Sequence, residues 1–590
     1  MVLGYYIAEA PLLSNHQYPN TMKHNDIKII IGGMLLLCLP GVASAQYFIA
    51  DGLGYNILSA AEHTVEVTVN ETCTTYSGTF DIPSTVTYLG ESYDVVALGE
   101  MAFYRAALSG LTIPSSVTEI RQGCFRDATG LATIHIPATV THIDVWALAA
   151  NGLASIEVDE GNPNYGAVDG ILYSKDTATL VQCPRGKSGA IALPQATRHI
   201  APCAFFDCKR VTGVALPDGL ASIDYWAFMG AIRLNNIVIP ATATYLGDNL
   251  FAGCTALTDL TLEAGNTHYY MDGTLIYTAG GDTLVSAHKS TDSVFLPGTV
   301  RVVSGFGFNT NVRYVRVPEG ATTIGSNAFA YSSLRSIDLP SRMERIGAYA
   351  FDYCTALTRV GMPDSLDTMG RGCFELCSRL TTISIPDGLR TIPHEAFMYC
   401  TSLADIDWGC DVETIDSYAF GNCAITGLHL PPSLRIIRNG AFWRGRKMDR
   451  VVFYAPVDTI EHGAFDDHPI GKLQFRNTLP PATTEEGSLY GTTVDCIIVP
   501  CGSLDVWLAD GYWSRFESKY VEDCDGIDDV ADAAIRVCVR DGRIEVLGAE
   551  GEAVAVYDLA GRNVANHALP TGVYLVRVGH RPARKVTVAR

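Results

Sequence analysis

The stretch TISIPDGLRTIPHEAFMYC, residues Thr382 to Cys400, contains the plan of most of the chain. Its opening alternates apolar Ile383 and Ile385 with polar Thr382 and Ser384, the period of a half-buried β-strand. Pro386 ends that strand, because proline has no N–H to give to a neighbouring ladder. Leu389 and Ile392 form a second, shorter apolar segment for an opposite wall. Ala396 and Phe397 follow as an interior pair, in which the small residue lets the backbone turn closely and the ring fills the core. Cys400 lies in the polar corner three residues after the ring.

The same text recurs on both sides. Eleven residues lead from Pro114 to Phe125, Pro194 to Phe205, Pro217 to Phe228 and Pro240 to Phe251. The same step leads from Pro297 to Phe308, Pro318 to Phe329, Pro340 to Phe351, Pro363 to Phe374 and Pro431 to Phe442. Pro137 leads to Leu148, while Phe420 and Phe465 keep the ring where Gly409 and Tyr454 replace the proline. Successive prolines in uninterrupted stretches are 21 to 23 residues apart. This period predicts a repeat solenoid, a β-rich array with coils of about 23 residues, in which each coil buries its apolar side only against its neighbours. Stacked coils are expected ~4.7–4.9 Å apart, the interstrand spacing.

Bulk properties agree with such an array. At 590 residues the chain is too long for one compact core. With 48% hydrophobic and 18% charged residues it is too apolar for disorder. A formal charge of −21 disfavours nucleic acid as a partner, since phosphate binding needs clustered Lys and Arg.

Seventeen cysteines would ordinarily suggest disulfides. Cys208, Cys254, Cys354, Cys377, Cys400 and Cys423 instead each follow a repeat phenylalanine by three residues, and the last four are spaced by 23. That predicts a structural ladder of small buried thiols along one edge. Zinc would require paired thiolates or convergence with histidine, which this spacing lacks. Neighbouring rungs are candidates for bridging, and no pairs are assigned.

Two intervals of 57 residues, Pro137 to Pro194 and Pro240 to Pro297, break the count. They share Gly161-Asn162, Tyr165 and Asp169-Gly170 in one, and Gly265-Asn266, Tyr269 and Asp272-Gly273 in the other. Each reads as a repeat enlarged by a β-hairpin, near 158–190 and 262–292, with Asp-Gly as its turn. No calcium-loop spacing accompanies the acidic residues.

Lys23 and Lys28 precede an apolar run from Ile29 to Leu39, followed by Ala43-Ser44-Ala45. This is an export signal, with cleavage between Ala45 and Gln46 and Met22 as the natural start of a 1–45 leader. Leu37 before Cys38 argues against lipidation. The run is too short to span a bilayer, so no membrane span is expected in the mature chain.

Coils of the form I-x-I-P-x-x-V-x-x-I-x-x-x-A-F-x-x-C resemble the BspA-like leucine-rich repeats of bacterial surface proteins, over roughly residues 80–475. The Cys496–Pro500 and Trp513–Phe516 stretches resemble the cap of such arrays. With Leu504 to Leu508 carrying Trp507, a cap is drawn over 476–523, closing a solenoid drawn over 46–475. Beyond it, five alternating segments between Ile535 and Val588 predict a small C-terminal β-sandwich over 524–590. Val554-Ala-Val-Tyr-Asp-Leu-Ala-Gly561, Leu569-Pro-Thr-Gly-Val-Tyr-Leu-Val-Arg-Val578 and Lys585-Val-Thr-Val588 resemble a type IX secretion sorting domain. That resemblance implies a Bacteroidetes-type origin, engagement of the type IX export machinery, and a secreted or outer-membrane-surface location.

No nucleophile elbow, zinc-protease helix, P-loop or dinucleotide fingerprint occurs. The 14 histidines are scattered, so no catalytic residue, cofactor or metal is assigned. Function is instead expected on the two hairpin inserts or on the outward positions of the first strand, two and four residues before each proline. There Tyr314, Arg316, Asp338, Arg359, Asp405, Asp407 and His429 vary in size and charge while the interior stays fixed. The repeat resemblance implies adhesion to host matrix proteins or to other bacterial surfaces. The alternatives are a passive structural or biofilm component and a glycan-binding module. The exposed columns hold only Phe295 and Tyr314 as aromatics, which speaks against the glycan module.

Overall fold

The computed structural model describes residues 47–69, 75–288, 292–484 and 487–524, and then 536–540, 543–547, 553–558, 562–564, 569–570, 572–578 and 584–588. The leader, Met22 and the Ala45–Gln46 cleavage position lie outside the described residues. The chain is a β-solenoid of roughly 23-residue coils, divided into two compact units, Met1–Lys175 and Asp176–Arg590.

The first unit opens with strands that the repeat did not announce. Tyr47–Ala50, Leu53–Ser59 and Thr64–Thr68 form an antiparallel meander whose Tyr55, Val65 and Val67 are fully buried. Thr64–Thr68 then runs parallel to Glu91–Leu98, which pairs with Glu119–Ile120, which pairs with His142–Ile143. The meander thus covers the open end of that wall, an edge that would otherwise present unpaired amides. On the other wall Thr133–Ile136 pairs in parallel with Ser155–Val158, placing Ile134 beside Ile156.

The second unit shows why each repeat residue is there. In the coil quoted above, Ile383 and Ile385 are buried and Thr382 and Ser384 exposed. Pro386 offers its carbonyl to the Leu389 amide at 3.2 Å, so the residue that stops the strand also starts the turn. The Phe397 amide donates to the Ala419 carbonyl of the next coil at 2.8 Å, as Phe374 does to Ala396. The Ala-Phe step is therefore a third hydrogen-bonded side of the coil. Its rings stack in register, with centroids 5.0 Å apart for Phe351–Phe374 and 5.4 Å for Phe374–Phe397.

One ring departs from the expected register. Phe308 is not the interior residue of its coil; fully buried Phe306 is, stacked 5.1 Å from Phe329. The coil from Pro297 to Pro318 is 21 residues long, and both missing residues fall between the proline and the ring. Phe308 instead starts a corner stack with Tyr331, at 4.5 Å.

Both inserts contain the expected hairpins, Tyr165–Val168 with Ile171–Ser174 and Tyr269–Asp272 with Leu275–Thr278. In the first, Asp169 and Gly170 take φ of 50° and 71°, as a type I′ turn requires. In the second the turn is shifted by one residue: Asp272 ends the strand and Gly273, at φ 59°, opens a Gly273-Thr274 turn. Glycine in that first position is the requirement of a II′ turn. The shared asparagine fixes each insert. Buried Asn162 donates to the Pro137 and Val140 carbonyls, both at 2.9 Å, and accepts from the Asn164 and Tyr165 amides. Asn266 repeats this with Pro240, Ala243, His268 and Tyr269. Tyr165 then accepts a hydrogen bond from the Ile143 amide, the last strand of that wall in its unit. Asn162→Ala strands these partners at about 1–3 kcal/mol for a buried unsatisfied group. The expected result is faster amide exchange across 162–175, with Asn164→Ala, whose side chain is exposed, as the mild control; equal protection in the two variants would contradict this role.

At the far end, a one-turn helix Leu504–Ala509 and the 3-10 segment Trp513–Lys519 bury Trp507 and Trp513 against Phe475, at 4.8 and 5.4 Å. The Trp513 indole N–H donates to the Pro481 carbonyl at 2.9 Å. Strand Tyr520–Asp523 pairs with Val494–Pro500, and a Cys501–Cys524 disulfide locks that pair. Spacing had assigned no such bond, and it ties Cys524, drawn as the first residue of the C-terminal unit, to the cap. Beyond it, an antiparallel pair, Arg536–Arg540 with Arg543–Leu547, accompanies a three-stranded sheet of Val554–Tyr557, Gly572–Val578 and Arg584–Val588. Ile544, Val556, Leu569, Tyr574, Val576 and Val578 form their own buried cluster, in keeping with a small β-sandwich.

Candidate functional site

The outward columns of the first wall run along seven successive strands of the second unit, from Ser293–Phe295 to Gly427–Leu430. Ser293–Phe295, Tyr314–Arg316, Ser336–Asp338 and Arg359–Gly361 form one parallel sheet. Ser293, Tyr314, Ser336 and Arg359 are register partners along one column. In the second column Phe295 pairs with Arg316, and Asp338 with Gly361. Alternation turns Val294, Val315, Ile337 and Val360 inward, so the columns are left to solvent. Phe295 is 71% exposed and Tyr314 44%, two large aromatic side chains on neighbouring strands that a folded chain leaves uncovered only at a cost.

Charges are arranged unevenly beside these rings. Arg359 holds Asp338 at 2.8 Å, and Arg313 holds Asp292 at 2.7 Å. Farther along, Thr382 pairs with Asp405 and Ser384 with Asp407, whose carboxylate accepts from the Ser384 hydroxyl at 3.1 Å. His429, exposed at the end of the row, shares a 2.7 Å hydrogen bond with the Tyr454 hydroxyl. Partial burial and the neighbouring Arg450 hold its imidazole below the usual histidine range, so it is neutral near pH 7. Its register partners Val452 and Gln474, equivalent outward positions, are buried. The open face therefore ends at His429. Of the seven face residues expected from sequence, Tyr314, Arg316, Asp338 and Arg359 share one sheet, while Asp405, Asp407 and His429 continue the same rows on later strands.

The cysteine positions are chemically quiet. Cys208, Cys254, Cys354, Cys377, Cys400 and Cys423 are buried and free. The Cys254, Cys354, Cys377, Cys400 and Cys423 thiols donate to the carbonyls of Phe228, Phe329, Phe351, Phe374 and Phe397, at 3.0–3.3 Å. Asn309 and His468 occupy the equivalent place and reach the Ala287 and Phe442 carbonyls. The position calls for a polar group that satisfies a buried carbonyl of the preceding coil. Burial pushes the Cys254 and Cys354 thiols up to about 12, far from the thiolate form that reacts. A water-soluble thiol reagent is expected to leave all six unlabelled in the native protein and to label them in denaturant; native labelling of any one would contradict this placement. Among the described residues, no group of three His, Cys, Asp or Glu is placed to hold a metal, and no helix is long and apolar enough to cross a membrane.

A family model described as the BspA type leucine-rich repeat region, present in 6 copies, matches residues 71–166, 185–275, 286–404 and 368–485. The chain belongs to that family. No curated protein matches this BspA-type chain. Among solved structures, a leucine-rich cell surface protein from Faecalibacterium prausnitzii is 24% identical with a TM-score of 0.31, covering 66% of this chain and 92% of its own. The pneumococcal vaccine antigen PcpA is 16% identical with a TM-score of 0.33, covering 74% and 95%. A leucine-rich repeat protein from Bacteroides ovatus is 20% identical with a TM-score of 0.32, covering 81% and 99%. The BspA-type match spans the coils that carry these outward columns.

One cluster escaped the sequence. Asp352, Glu375 and Glu395 come together from adjacent coils: burial, with Glu395 nearby, raises the Asp352 and Glu375 carboxyls, and Arg371 is bonded to Glu395 at 3.1 Å. Asp352 and Glu375 each follow a ring by one residue, a position the motif leaves unconstrained, so no spacing signal announces them.

Proposed function

We propose that this is an exported, surface-displayed scaffold that binds proteins through the open face between Ser293 and His429. The observation that carries the reading is the pairing of a fixed interior with an exposed Phe295, Tyr314 and Arg316 surface. Aromatic and arginine side chains dominate the binding energy of protein interfaces. The signal-like leader and the sorting-domain-like C-terminus support delivery to the cell exterior, where host matrix proteins and other bacterial surfaces are the available ligands. The sorting-domain reading would also make the type IX export machinery a transient partner.

The test replaces Tyr314, Arg316, Asp338 and Arg359 together by alanine and measures capture of matrix and bacterial surface proteins by the immobilised chain. All four are outward, so the thermal transition should stay within a few degrees of the parent. Capture should fall at least tenfold, the effect of losing ~1.4 kcal/mol or more. Unchanged capture by the folded variant would overturn the proposal.

A further inference from the structure

The order of side chains along the face has a symmetry of its own. Seven first-wall strands run from the second insert to His429, and the middle one is Arg359–Gly361. Two strands before it lie Tyr314 and Arg316, and two strands after it lie Asp405 and Asp407. One strand before it stands Asp338, and one strand after it the hydroxyls Thr382 and Ser384. At the ends, exposed Phe295 answers the His429–Tyr454 pair, whose rings stack 5.9 Å apart. Bare Gly361 sits at the centre.

We propose that this face recognises a second copy of the chain, through a two-fold axis running along strand Arg359–Gly361 in the plane of contact. Such an axis reverses strand order and keeps each column opposite itself, as an isologous interface requires. Arg316 then meets Asp407 of the second copy and Tyr314 meets Asp405, each contact occurring twice. Asp338 meets Ser384, and Phe295 meets His429. The Arg359 pair at the centre is neutralised, each guanidinium already holding its own Asp338 at 2.8 Å. This rests on the reading of the face as a recognition surface, and names one partner for it.

Charge complementarity selects a second copy over an unrelated acidic protein. The face is basic and aromatic at one end and acidic at the other, so a uniformly acidic partner satisfies only half of it. In a chain of charge −21, any face-to-face contact also needs opposite charges aligned to offset the overall repulsion. Seven strands at ~4.8 Å give a contact about 29 Å long with two columns of side chains. That is fewer than the roughly 20–30 residues per side of a standard interface, so a weak, reversible dimer is expected.

The experiment is sedimentation equilibrium of the purified full chain, without any ligand, from about 1 to 200 µM in ~0.15 M salt, where charges beyond about 8 Å are screened. The wild type should dimerise. Arg316→Asp alone and Asp407→Arg alone should each weaken dimerisation at least tenfold. An equimolar mixture of the two variants should dimerise within about threefold of wild type, because each mixed contact again sets Asp against Arg. A wild type that stays monomeric, single variants that dimerise normally, or a mixture that stays monomeric would each overturn the dimer. A monomer that still captures another protein through the alanine-sensitive quartet leaves the ligand reading intact, so the two failures are distinguishable.

Discussion

Phe374→Ala should lower the stability of the second unit by about 3–5 kcal/mol, the range for removing a fully buried ring. Phe374 has no exposed surface and is stacked within 3° of parallel between Phe351 and Phe397. The hole left behind has little means of closing. The Phe374 amide is held by Ala396, and the Phe351 amide by Cys373, so the backbone on both sides is pinned at the coil spacing. The array makes the loss more visible than it would be in a globule. Each coil contacts only its neighbours, so one weak coil divides a cooperative stack into two. Urea unfolding followed by tryptophan fluorescence should therefore broaden or split, and proteolysis should begin between 360 and 390. Phe374→Leu should be much milder, about 1 kcal/mol, since Leu148 already fills the same place in the first unit. An alanine variant that unfolds within 1 kcal/mol of the parent, in a single unbroken transition, would refute this account.

That prediction was nearly available from the chain alone, because an interior position is repeated more than ten times and chance substitutions average out. What the repeat fixes is what every coil needs: alternation, a proline that stops one strand and starts a turn, and a ring beside an alanine. Its failures are local. Phe308 was misplaced because a deletion of two residues lies inside a coil, where counting from the proline assigns it to the wrong segment. Asp272-Gly273 was read as a turn pair, whereas pairing of the flanking strands decides which two residues stand at the bend. The N-terminal meander was invisible, since an end coil must differ from the consensus in order to close the stack. Cys501 and Cys524 are 23 residues apart, the coil period itself, so ladder spacing and disulfide spacing look alike in one dimension.

The face was legible in outline for the converse reason. Outward positions are identified by alternation, but which of them remain open depends on what lies over them. Val452 and Gln474 hold the same outward register as His429 and yet are buried. Likewise, nothing in the motif says that Asp352 and Glu375 turn towards one another, because charge placed one residue after the ring carries no period.

Those two carboxyls should make the protein more stable in mild acid than at neutral pH. Asp352 is only 5% exposed, and one of its oxygens has no hydrogen-bond partner. Burial is the main cause that holds both groups well above the usual carboxylate range; Glu395 raises both further, and Arg371 only partly relieves Glu375. Around them Arg371 pairs with Glu395, His394 lies 3.6 Å from the same carboxylate, Tyr418 faces Glu395, and Cys354, Cys373, Cys377 and Cys400 are neutral thiols. The folded chain thus keeps protons that the unfolded chain gives up near pH 4. Their stabilising contribution is complete below about pH 4 and is lost as pH rises from there through the folded-state values. The slope is about 1.4 kcal/mol per pH unit for each proton so retained. Asp248, pushed up to about 6 by burial, and Glu100 and Asp466, raised by the same cause, act in the same direction. Melting temperature should fall steadily from pH 5 to pH 8. The Asp352→Asn/Glu375→Gln variant should flatten that fall and exceed the wild type at pH 8 while matching it at pH 5. Overall repulsion in an acidic chain also grows with pH, so exposed Asp405→Asn serves as the control that removes a charge without unburdening the core. A double variant whose pH slope equals that of the control would show that the buried pair holds no extra proton.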